Sequence, residues 1–413
     1  MTQRQTIGIV GGGAAGLAAA VAAAACGDRV TVLERMDRVG KKLLATGNGR
    51  GNLMNGGEPL YPGGDGFARQ VLRLCGPDEL RRFWSDLGLC LSKESDGRFY
   101  PLTRQASTVL DALRFRLERD GTAIETGISA TALHWDNPGW CVRTDRGDRH
   151  FGRVIVCGGG MAQPKLGSNG STYSLLESLG HTLVKPRPAL TPVETDTAPI
   201  RGLSGIRVRC GVRVMRKDLC LHEERGELLF TDTGISGICA MQCARWARKG
   251  FEISIDLADG WADGEDRSLL SELDTRRSRI WKGQPAERLL TGLLPTRLAE
   301  RVMSAAGLRV RDRSAESLTD AELRTLAAVL RDFRLTILGV KGFDAAQVTA
   351  GGIATDDFDP FTMESHLARG VHAAGEVLDV DGDCGGFNLM FAFSSGILAG
   401  LNGRRKEWRR DRT

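Results

Sequence analysis

Hydrophobic positions change period twice within the first thirty-four residues. Residues 6–10, TIGIV, and 29–34, RVTVLE, are short β-branched runs, and the alanine-rich stretch between them reaches Ala25 without a charge. Strand-formers flanking a helix-former predict a strand, a helix and a second strand ending on Glu34. Further on, VIVCGGG and VHAAGE (371–376) predict buried strands, and NLMFAFSSGILAG (388–400) predicts an apolar helix with Asn388 as its cap. The middle of the chain differs. Residues 191–262 alternate in short strand-like runs such as GIRVRCGVRVM and FEISIDL, after a proline-punctuated KPRPALTPVET. From 265 to 335 leucines recur at helical spacing, as in AERLLTGLLPTRLAERVMSAAGL and TDAELRTLAAVLRDF, before AQVTAGGIA returns to strand character. No repeat of 20 to 50 residues is evident.

Between the first strand and its helix stands Gly11-x-Gly13-x-x-Gly16. Gly11 allows a tight turn, Gly13 lets backbone approach a pyrophosphate, and Gly16 lets helix lie close on sheet. The helix N-terminus then faces phosphate charge, and Glu34 stands where a carboxylate can accept both hydroxyls of an adenosine ribose, with Arg35 beside it. This motif fits FAD and NAD alike. The next segment separates them: LLATGNGRGNLMN (43–55) is too glycine-rich for a helix and too polar for a buried strand. Gly47, Gly49 and Gly51 free the main chain to lie along a long ligand, Lys42 and Arg50 can neutralise phosphates, and Asn48 and Asn52 can hold polar groups. That suits FAD. At the far end, Gly385 and Gly386 let the predicted terminal helix approach closely, so its positive end can stabilise charge on a reduced flavin.

Composition narrows the class. The 413 residues are 41% hydrophobic, enough for a buried core and a prior of two or three domains. A net charge of +5, from 56 basic and 51 acidic residues, is too small and dispersed to argue for nucleic acid, so that partner is not expected. The tail GRRKEWRRDRT is the one strongly basic block and reads as a solvated terminus. Ten cysteines without a C-x-x-C, and six scattered histidines, give no metal motif and read as reduced thiols. Cys239 and Cys243 share a helix face as core residues. Residues 7–26 carry no charge and end at Cys26, which invites a signal or lipobox reading, but the glycine and alanine content and the strand that follows favour the dinucleotide unit. Neither membrane nor metal is expected, and cytoplasm is the default.

These motifs carry a resemblance. In order, GIVGGGAAGLAAA, GKKLLATGNGRGNLMN, RFYPLTRQASTVLDAL, VIVCGGG, LLFTDTGISG, VTAGGI and MESHLARGVHAAGEVLDVDGDCGGFNLMFAFSSG resemble the bacterial NAD(P)/FAD-dependent oxidoreductases. That family includes aminoacetone oxidase-like flavoproteins and a bile-acid-inducible enone reductase. The resemblance implies an α/β fold: a discontinuous, glutathione-reductase-like Rossmann FAD domain with an inserted β-barrel-like module carrying a small helical subdomain. The expected boundaries are 1–187 for the first FAD-binding part, 188–264 for the inserted β domain, 265–335 for the helical subdomain, and 336–413 for the return. Carried over by position, it assigns Gly11, Gly13, Ala15 and Gly16 to the pyrophosphate, Glu34 to the ribose, and Lys42 with Gly47 through Asn52 to the run toward the ring. Ala130 frames adenine, Gly158 and Gly159 allow close approach, and Gly375, Glu376, Gly386, Phe387, Asn388 and Leu389 hold the ribityl chain and pyrimidine edge. Relatives more often carry cysteine at Gly51, threonine or a similar residue at Cys157, and tyrosine at Phe387.

Three functions follow. The favoured one is NAD(P)H-driven reduction of an activated C=C bond in a hydrophobic enone, steroid or bile-acid-like, with NAD(P)H as a transient donor that needs no second glycine motif. Tyr100 is the candidate proton donor, and the FTDTGISG loop (230–237) could close over the flavin. The alternatives are an oxygen-dependent oxidase of a small amine or aminoketone, and a flavin-bearing nucleic-acid or partner-binding protein. Oligomeric state is not encoded in any pattern.

Overall fold

The computed structural model describes residues 5–261 and 266–404. The chain divides into two units, one formed by Met1–Pro188 with Gln347–Thr413 and the other by Ala189–Ala346.

The first unit is built on a five-stranded sheet in the order Val371–Ala373, Arg153–Val156, Thr6–Val10, Arg29–Glu34, Ala123–Thr126. Every pairing in it is parallel. Its central strands are buried on both faces, which is why they read as continuous apolar runs rather than alternating ones. The helix Ala14–Ala25 is buried from Ala15 through Ala23, mostly by alanine, and packs on the terminal helix Phe387–Leu401. A Cβ on Gly396 would lie 2.2 Å from the Ala15 carbonyl oxygen, and one on Gly400 2.4 Å from that of Ala19. The two helices therefore approach at backbone distance, an arrangement only glycine at those positions permits.

Beneath the C-terminus of the terminal helix lies Arg153, almost wholly buried. It donates to the carbonyls of Ala399 (3.1 Å) and Gly400 (3.0 Å), satisfying acceptors that the helix leaves without intrahelical partners. Burial, with Arg404 nearby, lowers its pKa to about 10, against the opposing pull of Asp28. His372, fully buried beside it, meets Asn402 Oδ1 through Nε2 at 3.2 Å. Two small antiparallel sheets complete the unit. One joins Met54–Asn55, Arg98–Pro101 and Leu91–Lys93, and the other is the meander Ala130–Asp136, Gly139–Thr144, Arg149–Phe151. Val348–Ile353 pairs with Leu183–Ala189.

The second unit is a closed barrel of Val193–Thr195, Gly234–Ser236, Leu219–Thr231, Arg207–Arg216, Glu252–Asp256 and Phe333–Val340. Alternate residues such as Cys210, Val212, Val214, Phe230, Ile253, Ile255, Phe333 and Leu335 are buried. Helices Asp266–Thr275, Thr296–Ala305 and Asp320–Arg331 contribute Leu273, Leu298 and Leu326 to that same core. The strand Phe333–Val340 runs across the expected division at 335, because alternation of Phe333, Leu335 and Ile337 holds it in the barrel. Residues 286–308 are not one helix. A 3-10 turn Ala286–Arg288 precedes Thr296–Ala305, whose start is fixed by Pro295. Thr319 caps Asp320–Arg331 through the Glu322 amide while Glu322 reaches back to the Thr319 amide. Arg313 holds the Glu322 carboxyl down to about 2. Within FTDTGISG, Thr231 pairs with Gly234, making a tight hairpin of the barrel.

Candidate functional site

The first unit gathers the glycines of the sequence motif at the head of the helix Ala14–Ala25. Gly11 has φ +109°, and a Cβ there would strike the Cys157 carbonyl oxygen at 2.5 Å. At Gly16 it would lie 1.9 Å from the Gly11 oxygen. Gly12 is crowded as well, by Val39 at 2.5 Å. Gly13 alone of the four has no atom within 4 Å of such a Cβ. Three glycines are thus required by the protein's own backbone, and the fourth opens onto space at the helix cap. An open cradle at that point fits a pyrophosphate, whose charge the uncapped N–H groups of the helix would meet.

Glu34 ends the second strand beside this turn. Its Oε2 accepts from the Gly12 amide and its Oε1 from the Met36 amide, both at 2.7 Å, which fixes the carboxylate and leaves each oxygen a further lone pair. Its carbonyl receives the Ile128 amide at 3.0 Å, so the segment leading to Ala130, half-buried at the start of its strand, is tied to the same edge. Arg35 donates to the Gly167 carbonyl at 3.1 Å, drawing in a loop that no motif had marked.

Lys42 does not stand free. Its ammonium meets Glu376 Oε2 at 2.6 Å, while Glu376 Oε1 accepts from the Thr349 amide at 2.7 Å. This ion pair joins positions 334 residues apart in the chain. Thr349 is fully buried, and its hydroxyl oxygen accepts from the amides of Met161 (2.8 Å) and Ala162 (2.9 Å). It organises the loop after Gly158 and Gly159 and was missed by sequence reasoning, since a threonine inside a strand carries no local signal. Gly158 and Gly159 are themselves crowded. A Cβ on Gly158 would lie 2.3 Å from the Thr172 side chain, and one on Gly159 2.9 Å from Ser168 Oγ. Burial pushes the Cys157 thiol far up, so it stays protonated.

Four of residues 47 to 51 have left-handed backbone, with φ of +57°, +55°, +81° and +71° at Gly47, Asn48, Gly49 and Gly51. The Ala106 amide donates to the Gly49 carbonyl at 2.8 Å, anchoring the run from outside. Tyr100 is 2% exposed on the strand Arg98–Pro101, with the guanidinium carbons of Arg50 and Arg104 at 5.2 and 4.9 Å from its ring centre. Asn52 Oδ1 is buried with no hydrogen-bond partner, 2.8 Å from where a Gly386 Cβ would sit. An orphaned acceptor at a helix N-terminus is the second feature that fits a polar ligand edge.

Two sequence expectations change here. Asn388 is not the cap of the terminal helix. Gly386 is, at φ +107°, because only glycine tolerates that conformation against the Met54 backbone. The Asn388 side chain turns back instead, accepting from the Gly382 amide at 2.9 Å and donating to the Gly382 carbonyl at 2.7 Å. The strand foreseen over 371–376 ends at Ala373, where Gly375, at φ +76°, opens a 3-10 turn and donates its amide to Ser395 Oγ at 3.0 Å. A Cβ on Gly375 would lie 2.8 Å from that of Ala15. Phe387 is buried and Leu389 half-buried. Tyr61 donates to the Phe387 carbonyl at 2.8 Å and bonds the helix start to the segment after Asn55.

Cys239 and Cys243 are buried in the barrel unit, and none of the ten cysteines forms a disulfide. Among the described residues no group of three or more metal-binding side chains is assembled, and no helix is long and apolar enough to cross a membrane. The basic tail beyond Arg404 lies outside the described residues.

The model of one family, the HI0933-like protein Rossmann domain, matches residues 5–402. A 3-dehydro-bile acid delta(4,6)-reductase of Clostridium scindens is 38% identical over 402 residues, 95% of this chain and 98% of the relative. A ribosomal RNA dihydrouridine synthase of Escherichia coli is 28% identical over 400 residues, 94% and 95% of the two chains. Among solved structures, a 3-ketosteroid-delta4-(5alpha)-dehydrogenase from Rhodococcus jostii is similar at a TM-score of 0.47 and 15% identity, covering 97% of each chain.

Proposed function

Given that the chain belongs to the HI0933-like Rossmann family and is an oxidoreductase, we propose that it binds FAD and reduces a carbon–carbon double bond conjugated with a carbonyl, with electrons from NADH or NADPH. The observation that carries the cofactor is the single open cradle at Gly13 among crowded glycines, next to a carboxylate fixed by two amides. Bound there, the flavin supplies hydride transfer. Gly11 to Gly16 would hold the pyrophosphate on the helix N-terminus, and Glu34 would accept the ribose hydroxyls through its remaining lone pairs. The main chain of residues 47 to 52 would lie along the cofactor, with the exposed Arg50 side chain outside that contact, and Gly386 to Leu389 would present helix amides to its polar ring edge. Tyr100 is our candidate for returning a proton to carbon.

The names of the two relatives support the reaction class. Each describes, in chemical terms, the saturation of a ring double bond that is conjugated with a carbonyl. The 38% identity favours a small hydrophobic enone over an RNA base, and the synthase similarity is the specific reason to test the second. The experiment is anaerobic mixing of the yellow protein with NADH and NADPH, followed by a 3-oxo-4-ene steroid acid or a uridine-containing ribosomal RNA fragment. Bleaching of the flavin by either nucleotide and its recovery on adding the steroid is expected. Recovery with RNA alone would select the second reading. Failure to bleach, with reduction by an aminoketone instead, would leave an oxidase and refute the reductase.

A further inference from the structure

Arg50 is unlike the other cations of this segment. Lys42 is neutralised by Glu376, and Arg104 by Glu94. The Arg50 guanidinium meets no carboxylate among the described residues; its Nε donates to the Gly47 carbonyl at 3.3 Å. It also stacks on the buried Tyr100 ring, so the side chain is held on one side by backbone and on the other by an aromatic face. Among the described residues its two terminal nitrogens have no hydrogen-bond or ion-pair partner, and the residue is exposed. A pre-set planar fork of this kind is the geometry that binds a carboxylate or phosphate bidentately. Two residues along, Asn52 Oδ1 reaches the cap of the terminal helix, so Arg50 and the proposed ring end share one short segment of chain. Leu102, two residues past Tyr100, is 65% exposed and adds apolar surface to the same strand end.

We infer that Arg50 is a specificity-determining residue that selects substrates carrying an anionic group, a carboxylate on an otherwise apolar enone. This rests on the reading of the site as a flavin reductase but is tested apart from it. The same fork could take the 2′-phosphate of NADPH, and the two sources are separated as follows. Holoenzyme is titrated with a 3-oxo-4-ene steroid carboxylic acid and with its methyl ester, and binding is read from the shift of the flavin absorption bands without turnover. Wild type should bind the acid about tenfold tighter than the ester, a difference of roughly 1.4 kcal/mol. Arg50→Gln should lose that tenfold for the acid, leave the ester unchanged, and retain the flavin content of wild type; Arg50→Lys should restore part of the preference. Equal affinity of wild type for acid and ester, or no band shift with either, would overturn the inference. So would loss of flavin from Arg50→Gln, which would return the residue to the cofactor. A change confined to the NADPH-over-NADH preference would assign the fork to the nucleotide instead. If selective binding of the acid is seen but NAD(P)H never drives its reduction, the reaction reading fails while the role of Arg50 stands.

Discussion

Acid should weaken the first unit through one buried imidazole. Burial, reinforced by the nearby Arg153 guanidinium, lowers the pKa of His372 from 6.5 to about 3 in the folded chain. The unfolded chain therefore takes up a proton near pH 6.5 that the folded chain refuses until about pH 3. Stability is full above the unfolded value and falls as pH drops through this window, by about 1.4 kcal/mol per unit. Between pH 6 and pH 4 the loss from this group is roughly 2.5 kcal/mol. His181, also buried and held low by desolvation, adds a slope of the same sign, so the measurement must isolate His372. The variant His372→Gln removes the titration while keeping a donor for Asn402. Urea unfolding of both proteins at intervals from pH 7 to 4 gives the stability difference directly. That difference should shift by roughly 2.5 kcal/mol in favour of the variant as pH falls from 6 to 4. A difference that stays flat across this range would refute the argument, because a neutral buried imidazole cannot escape the linkage.

Other outcomes follow from the same geometry. Gly13→Ala should leave the thermal melt of the flavin-free protein nearly unchanged and weaken FAD binding at least about tenfold, whereas Gly16→Ala, whose Cβ would meet the Gly11 carbonyl at 1.9 Å, should yield little folded protein. Fluorescence titration with FAD and a melt of each variant check both. Thr349→Val leaves the Met161 and Ala162 amides without an acceptor and should destabilise the first unit by about 2–4 kcal/mol, read as a lower urea midpoint at unchanged slope. Gly51→Cys places a side chain at φ +71° and 3.2 Å from Ala106 Cα, so stability should fall by about 1–2 kcal/mol without a gain in the rate of flavin reduction by NAD(P)H; stopped-flow bleaching showing a large gain would mean a thiol belongs there.

Local features could be read from the sequence because their causes are local. The glycine turn and Glu34 at the strand end each depend on residues within a few positions or one βαβ span. Barrel alternation was also visible, since burial of one face imposes a period of two. What could not be read is what the chain brings together from afar. Neither Lys42 nor Glu376 carries any mark of the other, and Arg153 looks like an ordinary charged residue until it meets the last carbonyls of the terminal helix. The cap at Asn388 failed for a related reason: asparagine is a good N-cap in isolation, but the Met54 backbone presses so close that the preceding glycine must take the position.

The split of the first unit has a consequence for biosynthesis. The helix Ala14–Ala25 leaves the ribosome early, yet the helix that covers it, Phe387–Leu401, is translated only after the whole of 189–346. The strand Val371–Ala373, an edge of the five-stranded sheet, is equally late. Until then the nascent chain carries an alanine-and-leucine surface without its glycine-lined partner, while the barrel unit, contiguous in sequence, already has every strand it needs. Assembly from the middle outward follows, and a chain arrested shortly before residue 371 should hold a folded barrel, remain colourless, and lean on chaperones that shield its early helix.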